Sequence, residues 1–143
     1  MKKTVQLFLV VAAASVGLLG CQQPTPAAPA SMAVAASPMK ATTGYADVKG
    51  ARHFYQVFAD LKSGKTPLLI LHGSFLSADA MAPLSERFAR TRPVIALDAR
   101  GHGRTPDIAG PVTYELLADD AAGVLAALDV RNADVLGYSM GGK

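Results

Sequence analysis

From about Ala41 onward the chain carries two kinds of apolar pattern. Leu68–Leu71 and Pro93–Leu97 are unbroken apolar runs, and Ala133–Leu136 is a third run interrupted only by Asp134. Runs of this length suit strands covered on both faces, as in a parallel sheet. Between them the apolar residues recur at helical spacing. Met81, Leu84 and Phe88 fall at i, i+3 and i+7, with Ser77 or Asp79 available as the cap. Pro83 is tolerable there only if the helix begins just before it. Thr113 stands where it can cap a second helix, whose stripe is Tyr114, Leu117, Ala121, Val124, Leu125 and Leu128. Glu115, Asp119 and Asp120 lie toward that helix's N-terminal half, where the dipole favours negative charge. Ahead of all this, Tyr45–Lys49 and Arg52–Phe58 are β-prone stretches separated by Gly50, which predicts a hairpin-like start. Strand, helix, strand, helix, strand with short links predicts right-handed crossovers on a parallel sheet, an α/β fold.

The first 39 residues have a different texture. Lys2 and Lys3 precede an uncharged run from Thr4 to Gly20 that ends in Leu18-Leu19-Gly20-Cys21. A short basic stretch, an apolar core and small residues at its end outline a secretory signal. The ending resembles the lipobox of bacterial lipoproteins. That resemblance implies removal of residues 1–20, a lipid on Cys21 and anchoring to a membrane, with the outer membrane favoured because Gln22 is not aspartate. From Gln22 to about Lys40, four prolines separated by Ala and Ser read as an extended stalk. The expected organisation is a signal over residues 1–20, an anchor cysteine and linker over 21–43, and a folded domain over 44–143.

Composition narrows the function classes. Half of the 143 residues are apolar and 17% are charged, a globular balance. The net charge is +3, and two of the surplus cations are Lys2 and Lys3. No basic face interleaved with aromatics is present, so a nucleic-acid partner is not expected. The single cysteine, Cys21, rules out an intrachain disulfide.

The candidate chemistry lies where strands end. Gly137-Tyr138-Ser139-Met140-Gly141 is a G-x-S-x-G pattern directly after the third buried strand. A sharp strand-to-helix turn there would hold the middle residue in a strained backbone and expose the Ser139 hydroxyl above the sheet edge. His72-Gly73-Ser74-Phe75 follows the first buried strand, and Asp98-Ala99-Arg100-Gly101-His102-Gly103-Arg104-Thr105 follows the second. With these three motifs in order, the sequence from about Tyr45 to Lys143 resembles the α/β-hydrolase superfamily, in particular serine esterases, C–C bond hydrolases and perhydrolase-like members. The resemblance implies that Ser139 is the nucleophile and that the backbone N–H groups of Ser74 and Met140 form the oxyanion hole. Phe75 is the alternative to Ser74 and otherwise a pocket-lining residue. The implied substrate is a small ester-like molecule, cleaved without metal or organic cofactor. Which of those substrates, and what oligomeric state, the residues leave open.

In this family the acid and the histidine follow the serine. Only Met140, Gly141, Gly142 and Lys143 follow Ser139, and Asp98, Asp107 and Asp134 all precede it. The chain therefore reads as the N-terminal half of a hydrolase fold, expected to be inactive by itself. His72 is expected to brace the oxyanion loop, His102 to pack within its glycine turn, and His53 to lie half exposed in an early strand. Two other readings stand beside this one. Gly137 to Lys143 also fits the first seven positions of a phosphate-binding loop, and a lipid-tethered half-domain could act without catalysis.

Overall fold

A computed structural model describes residues 39–143 of the 143. The leader, Cys21 and most of the proline-rich stalk lie outside the described residues. Strands β1 (Thr42–Val48) and β2 (Ala51–Phe58) form an antiparallel hairpin. Lys49 and Gly50 form its turn, both at positive φ (49° and 77°), the two-residue geometry whose twist suits paired strands. Next come β3 (Leu68–Leu71), α1 (Ala82–Ala89), β4 (Val94–Leu97), α2 (Tyr114–Ala127) and β5 (Asp134–Gly137).

The five strands make one sheet in the order β1-β2-β4-β3-β5. β2 runs antiparallel to β4, whereas β3 is parallel to both β4 and β5. The unbroken apolar runs are explained by this placement. In β4, Val94 and Ala96 point to the α1 side with Ile70 and Phe58, and Ile95 and Leu97 point to the α2 side with Leu69 and Val124. Both faces are dry, so no alternation with polar residues is needed.

Three local expectations are corrected. Neither Ser77 nor Asp79 caps the first helix: the chain enters α1 through a 3-10 turn (Asp79–Met81), and no side-chain cap bond is made. The Asp79 carboxylate instead accepts from Gln56 Nε2 at 2.7 Å and from Arg104 at 2.7 Å. Tyr114 leaves the apolar stripe of α2 and is 53% exposed, bordering the hollow at the strand ends instead of packing in the core. His53 is 0% exposed rather than half exposed, because α2 covers the face of β2 on which it lies. Thr113 does cap α2, accepting from Leu116 N–H at 3.2 Å. Edge strand β5 is open on its outer side, with Val135 60% exposed.

Candidate active site

The parallel strands β3, β4 and β5 deliver three loops to one edge of the sheet, and those loops are the three motifs. β5 continues its pairing past its end, with Tyr138 N–H bonded to Leu71 O at 2.9 Å, and then reverses into a 3-10 turn, Ser139–Gly142. At the bend Ser139 has φ 53°, a left-handed conformation that L-residues with a Cβ adopt only under strain. Its side chain is exposed. The flanking glycines are dictated by contact. A Cβ on Gly137 would lie 2.1 Å from Gly141 O, and one on Gly141 would lie 2.5 Å from Leu71 O. No residue with a side chain could close this turn without moving β3 or β5.

The loop after β3 lies against that bend. A Cβ on Gly73 would come within 3.1 Å of Ser139 Cβ. Leu76 N–H bonds back to Gly73 O at 3.2 Å, closing a turn with Phe75 at its third position at φ 62°. Ser74 is the second residue of this turn, and the closing bond leaves its N–H unused. Met140, near the start of the 3-10 turn, has an N–H with no helical acceptor. Ser74, Ser139 and Met140 border one open hollow, together with Tyr114 and Lys143. Phe75 stands outward, 98% exposed.

His72 is buried and both ring nitrogens are engaged. Nε2 accepts from Ala99 N–H at 2.9 Å, which leaves Nδ1 as the protonated nitrogen, donating to Gly73 O at 2.8 Å. Burial holds its pKa below the ordinary histidine value, opposed by the Gly73 carbonyl. The His102 ring lies beside it, centroids 5.2 Å apart and planes tilted by 51°, with its own Nδ1 on Arg100 O. His72 is thus neutral and spoken for, not available to Ser139 as a base.

The loop after β4 is sealed by its own polar groups. Asp98 is fully buried and accepts from Ala78 N–H at 2.6 Å and Arg104 N–H at 2.7 Å. Arg100 makes a buried two-point ion pair with Asp120 of α2, at 3.0 Å and 2.9 Å. His53 Nε2 approaches the same carboxylate at 3.5 Å, and neither of its ring nitrogens has a hydrogen-bond partner. Its pKa is lowered by burial, with Asp120 pulling the other way and Arg100 adding to the lowering. Sequence reasoning missed this cluster, having placed Asp120 as a dipole partner on the helix. The one available signal was arginine inside a glycine loop, which needs an acid once the loop is covered. Among the described residues no group of three or more His, Cys, Asp or Glu side chains could hold a metal ion.

Comparison with known proteins agrees with this geometry. The family pattern of the alpha/beta hydrolase fold matches residues 66–143, more than half of the chain and all three loops. The chain is 37% identical over 92 residues to the sn-1-specific diacylglycerol lipase ABHD11 of Danio rerio, covering 62% of this chain and 28% of that protein. It is 33% identical over 86 residues to the esterase YbfF of Escherichia coli strain K12, covering 59% of this chain and 33% of the relative. The crystal structure of the enol-lactonase from Burkholderia xenovorans LB400 superposes with a TM-score of 0.66 at 27% identity, covering 69% of this chain and 38% of that one. A parallel-centred sheet with a strained serine at a strand end defines an α/β protein built around an exposed hydroxyl. The chain belongs to the α/β-hydrolase family. It spans about a quarter to a third of the length of the curated relatives it matches. The family pattern takes in Gly137–Lys143 whole, so the phosphate-loop reading of those residues has no separate support.

Proposed function

We propose that this chain carries the nucleophile side of a serine hydrolase acting on ester-type bonds through an acyl-enzyme at Ser139. The observation that supports it most is the strained, exposed backbone of Ser139 at φ 53°, set against Gly73. Strain of this kind costs about 1–3 kcal/mol and persists where the surroundings impose it, as the close approaches at Gly137 and Gly141 do here. In the proposed reaction Ser139 Oγ attacks the carbonyl carbon and its proton passes to a base. The oxyanion that forms accepts from the N–H groups of Ser74 and Met140, each such donor being worth about 3–4 kcal/mol in the transition state. The oxyanion then collapses, the ester C–O bond breaks, and the alcohol leaves with the proton the base had taken. Water attacks the acyl-enzyme that remains, releasing the acid and restoring the hydroxyl. The relatives named as an esterase and a lipase agree with an ester-type substrate, and the route calls for no metal or organic cofactor.

No base is paired with the Ser139 hydroxyl among the described residues. Among the described residues no histidine is hydrogen-bonded to Ser139: both nitrogens of His72 are engaged, His53 is buried with Asp120, and His102 has its Nδ1 on Arg100 O. A serine hydroxyl without a positioned base is a poor nucleophile. The purified 143-residue chain is therefore expected to leave p-nitrophenyl acetate unhydrolysed and to resist fluorophosphonate labelling. Rapid turnover abolished by Ser139→Ala would show that a base is already present in the chain. Reading the frame past codon 143 tests the rest: an Asp or Glu and a later His, each after a strand, complete the site.

The leader belongs to the same proposal. Cys21 would carry a lipid and hold the domain at the cell envelope through the stalk from Gln22 to about Lys40. Incorporation of labelled palmitate, lost in Cys21→Ser, is the expected result, and a soluble, unlabelled wild type would remove this part.

A further inference from the structure

The Asp98–Thr105 loop carries the family resemblance as strongly as the elbow does, yet the proposed reaction uses none of its side chains. Its polar groups are consumed within the protein. Thr105 Oγ1 donates to Asp98 O at 2.8 Å and accepts from Phe54 N–H at 2.9 Å. Arg100 is taken by Asp120 and Arg104 by Asp79. What this arrangement accomplishes is visible in where two of its bonds land.

The segment that carries Ser74 begins at His72 and ends at Ala78. Ala99 N–H holds its first end through His72 Nε2 at 2.9 Å, and the Asp98 carboxylate holds its last end through Ala78 N–H at 2.6 Å. Two consecutive residues at the tip of β4 thus pin both ends of the span, and the span between the pins is strained: Phe75 sits at φ 62°. Resting on the reading of Ser139 and Ser74 above, the geometry points to Asp98 as the positioning residue of the oxyanion loop. It touches no substrate and acts through the placement of Ser74 N–H.

The chemistry of the pin explains why it is an aspartate. The two oxygens face two backbone N–H donors, Ala78 and Arg104, and only an acceptor-only group satisfies both. Bonds from N–H to a carboxylate are shorter and stronger than neutral ones. Gly103 closes the site behind it: a Cβ there would lie 2.1 Å from a carboxylate oxygen, and its φ is 53°. The pin is seated on one side by loop backbone and on the other by the oxyanion segment. An asparagine fits the space but must turn its NH₂ toward one of the two donors, leaving that N–H unpaired.

The test compares Asp98→Asn with Asp120→Asn, a change at a buried α2 carboxylate that is bonded to Arg100 and makes no hydrogen bond to the His72–Ala78 segment. In the 143-residue chain, amide hydrogen exchange is followed at Leu76, whose own acceptor is Gly73 and not Asp98. Imidazole nitrogen spectra follow His72, which reads as Nδ1-protonated in the wild type. Asp98→Asn is expected to speed Leu76 exchange by about tenfold or more and to mix the His72 tautomers, while Asp120→Asn does neither under conditions where both remain folded. In the full gene product Asp98→Asn is expected to lower kcat about 10–100-fold, with KM held within about twofold, as a displaced oxyanion donor would. Equal effects of the two variants, an unchanged Leu76 with an unchanged kcat, or a raised KM at intact kcat would each overturn the assignment. If Ser139→Ala leaves turnover intact, the nucleophile reading fails instead, and the Leu76 and His72 signals still decide the pin.

Discussion

Two glycine-rich loops leave the same edge of the sheet and are built to opposite ends. In Asp98–Thr105 the carboxylate, the guanidinium of Arg100 and the threonine hydroxyl are all bonded inside the protein, and Asp98, Arg100 and Thr105 are buried. In Gly137–Lys143 the side chains of Tyr138, Ser139 and Lys143 face outward, and the backbone is bent past its comfortable range at Ser139. Glycine serves both, for different reasons. At Gly103 it lets backbone reach a buried carboxylate, and at Gly137 and Gly141 it lets two strand ends and a turn crowd together. A loop that satisfies its polar groups internally lends rigidity to its neighbours. A loop that leaves a hydroxyl and an N–H unsatisfied is equipped for a visitor.

The contrast can be broken most severely at the buried ion pair. Asp120→Ala strands the Arg100 guanidinium beside His53, and removing one partner of a buried pair costs about 3–5 kcal/mol. Urea melts of wild type and variant measure it, and a loss under about 1 kcal/mol would mean that water reaches the cluster.

Acid sharpens the contrast more gently. Burial lowers the pKa of His53 and of His72 below the ordinary value of 6.5, so the native state favours both neutral imidazoles. Their contribution is complete above pH 6.5 and falls as the pH drops below it, because the unfolded chain takes up protons that the native one refuses. Thermal melts are expected to shift downward from pH 7 toward pH 5. A midpoint that stays flat or rises over that range would mean that Asp120 outweighs burial at His53.

The smallest effect has the opposite sign. Ser139→Gly relieves the left-handed strain and is expected to stabilise the chain by about 1 kcal/mol, the relief being partly offset by the freer unfolded chain. A destabilised variant would show that Ser139 is bonded rather than strained. The same change at Arg100 or Thr105, whose side chains hold the other loop together, could only weaken the fold.

Much of the molecule is legible along the chain. The dry runs of β3 and β4, the Thr113 cap, the hairpin turn after Val48 and the serine bend with its two glycines all depend on residues within a few positions of one another. Short-range sterics and hydrogen bonding decide them, so the order of types suffices. His53, Asp79, Asp98 and Asp120 read less well, each for the same reason. A histidine in a two-stranded hairpin looks half wet until β2 is placed beside β4 and roofed by α2. An aspartate at a helix start looks like a cap until Gln56 and Arg104 arrive to claim it.

What the order of residues determined by itself was the kind of each element and the place of the reactive bend. What only the tertiary structure decided was the strand order and the fate of the buried polar groups. Asp98 has no partner within five positions, and its two donors come from loops that meet only when β3 and β4 lie side by side. A charge becomes a pin, a cap or a surface ornament according to what the assembled sheet brings next to it.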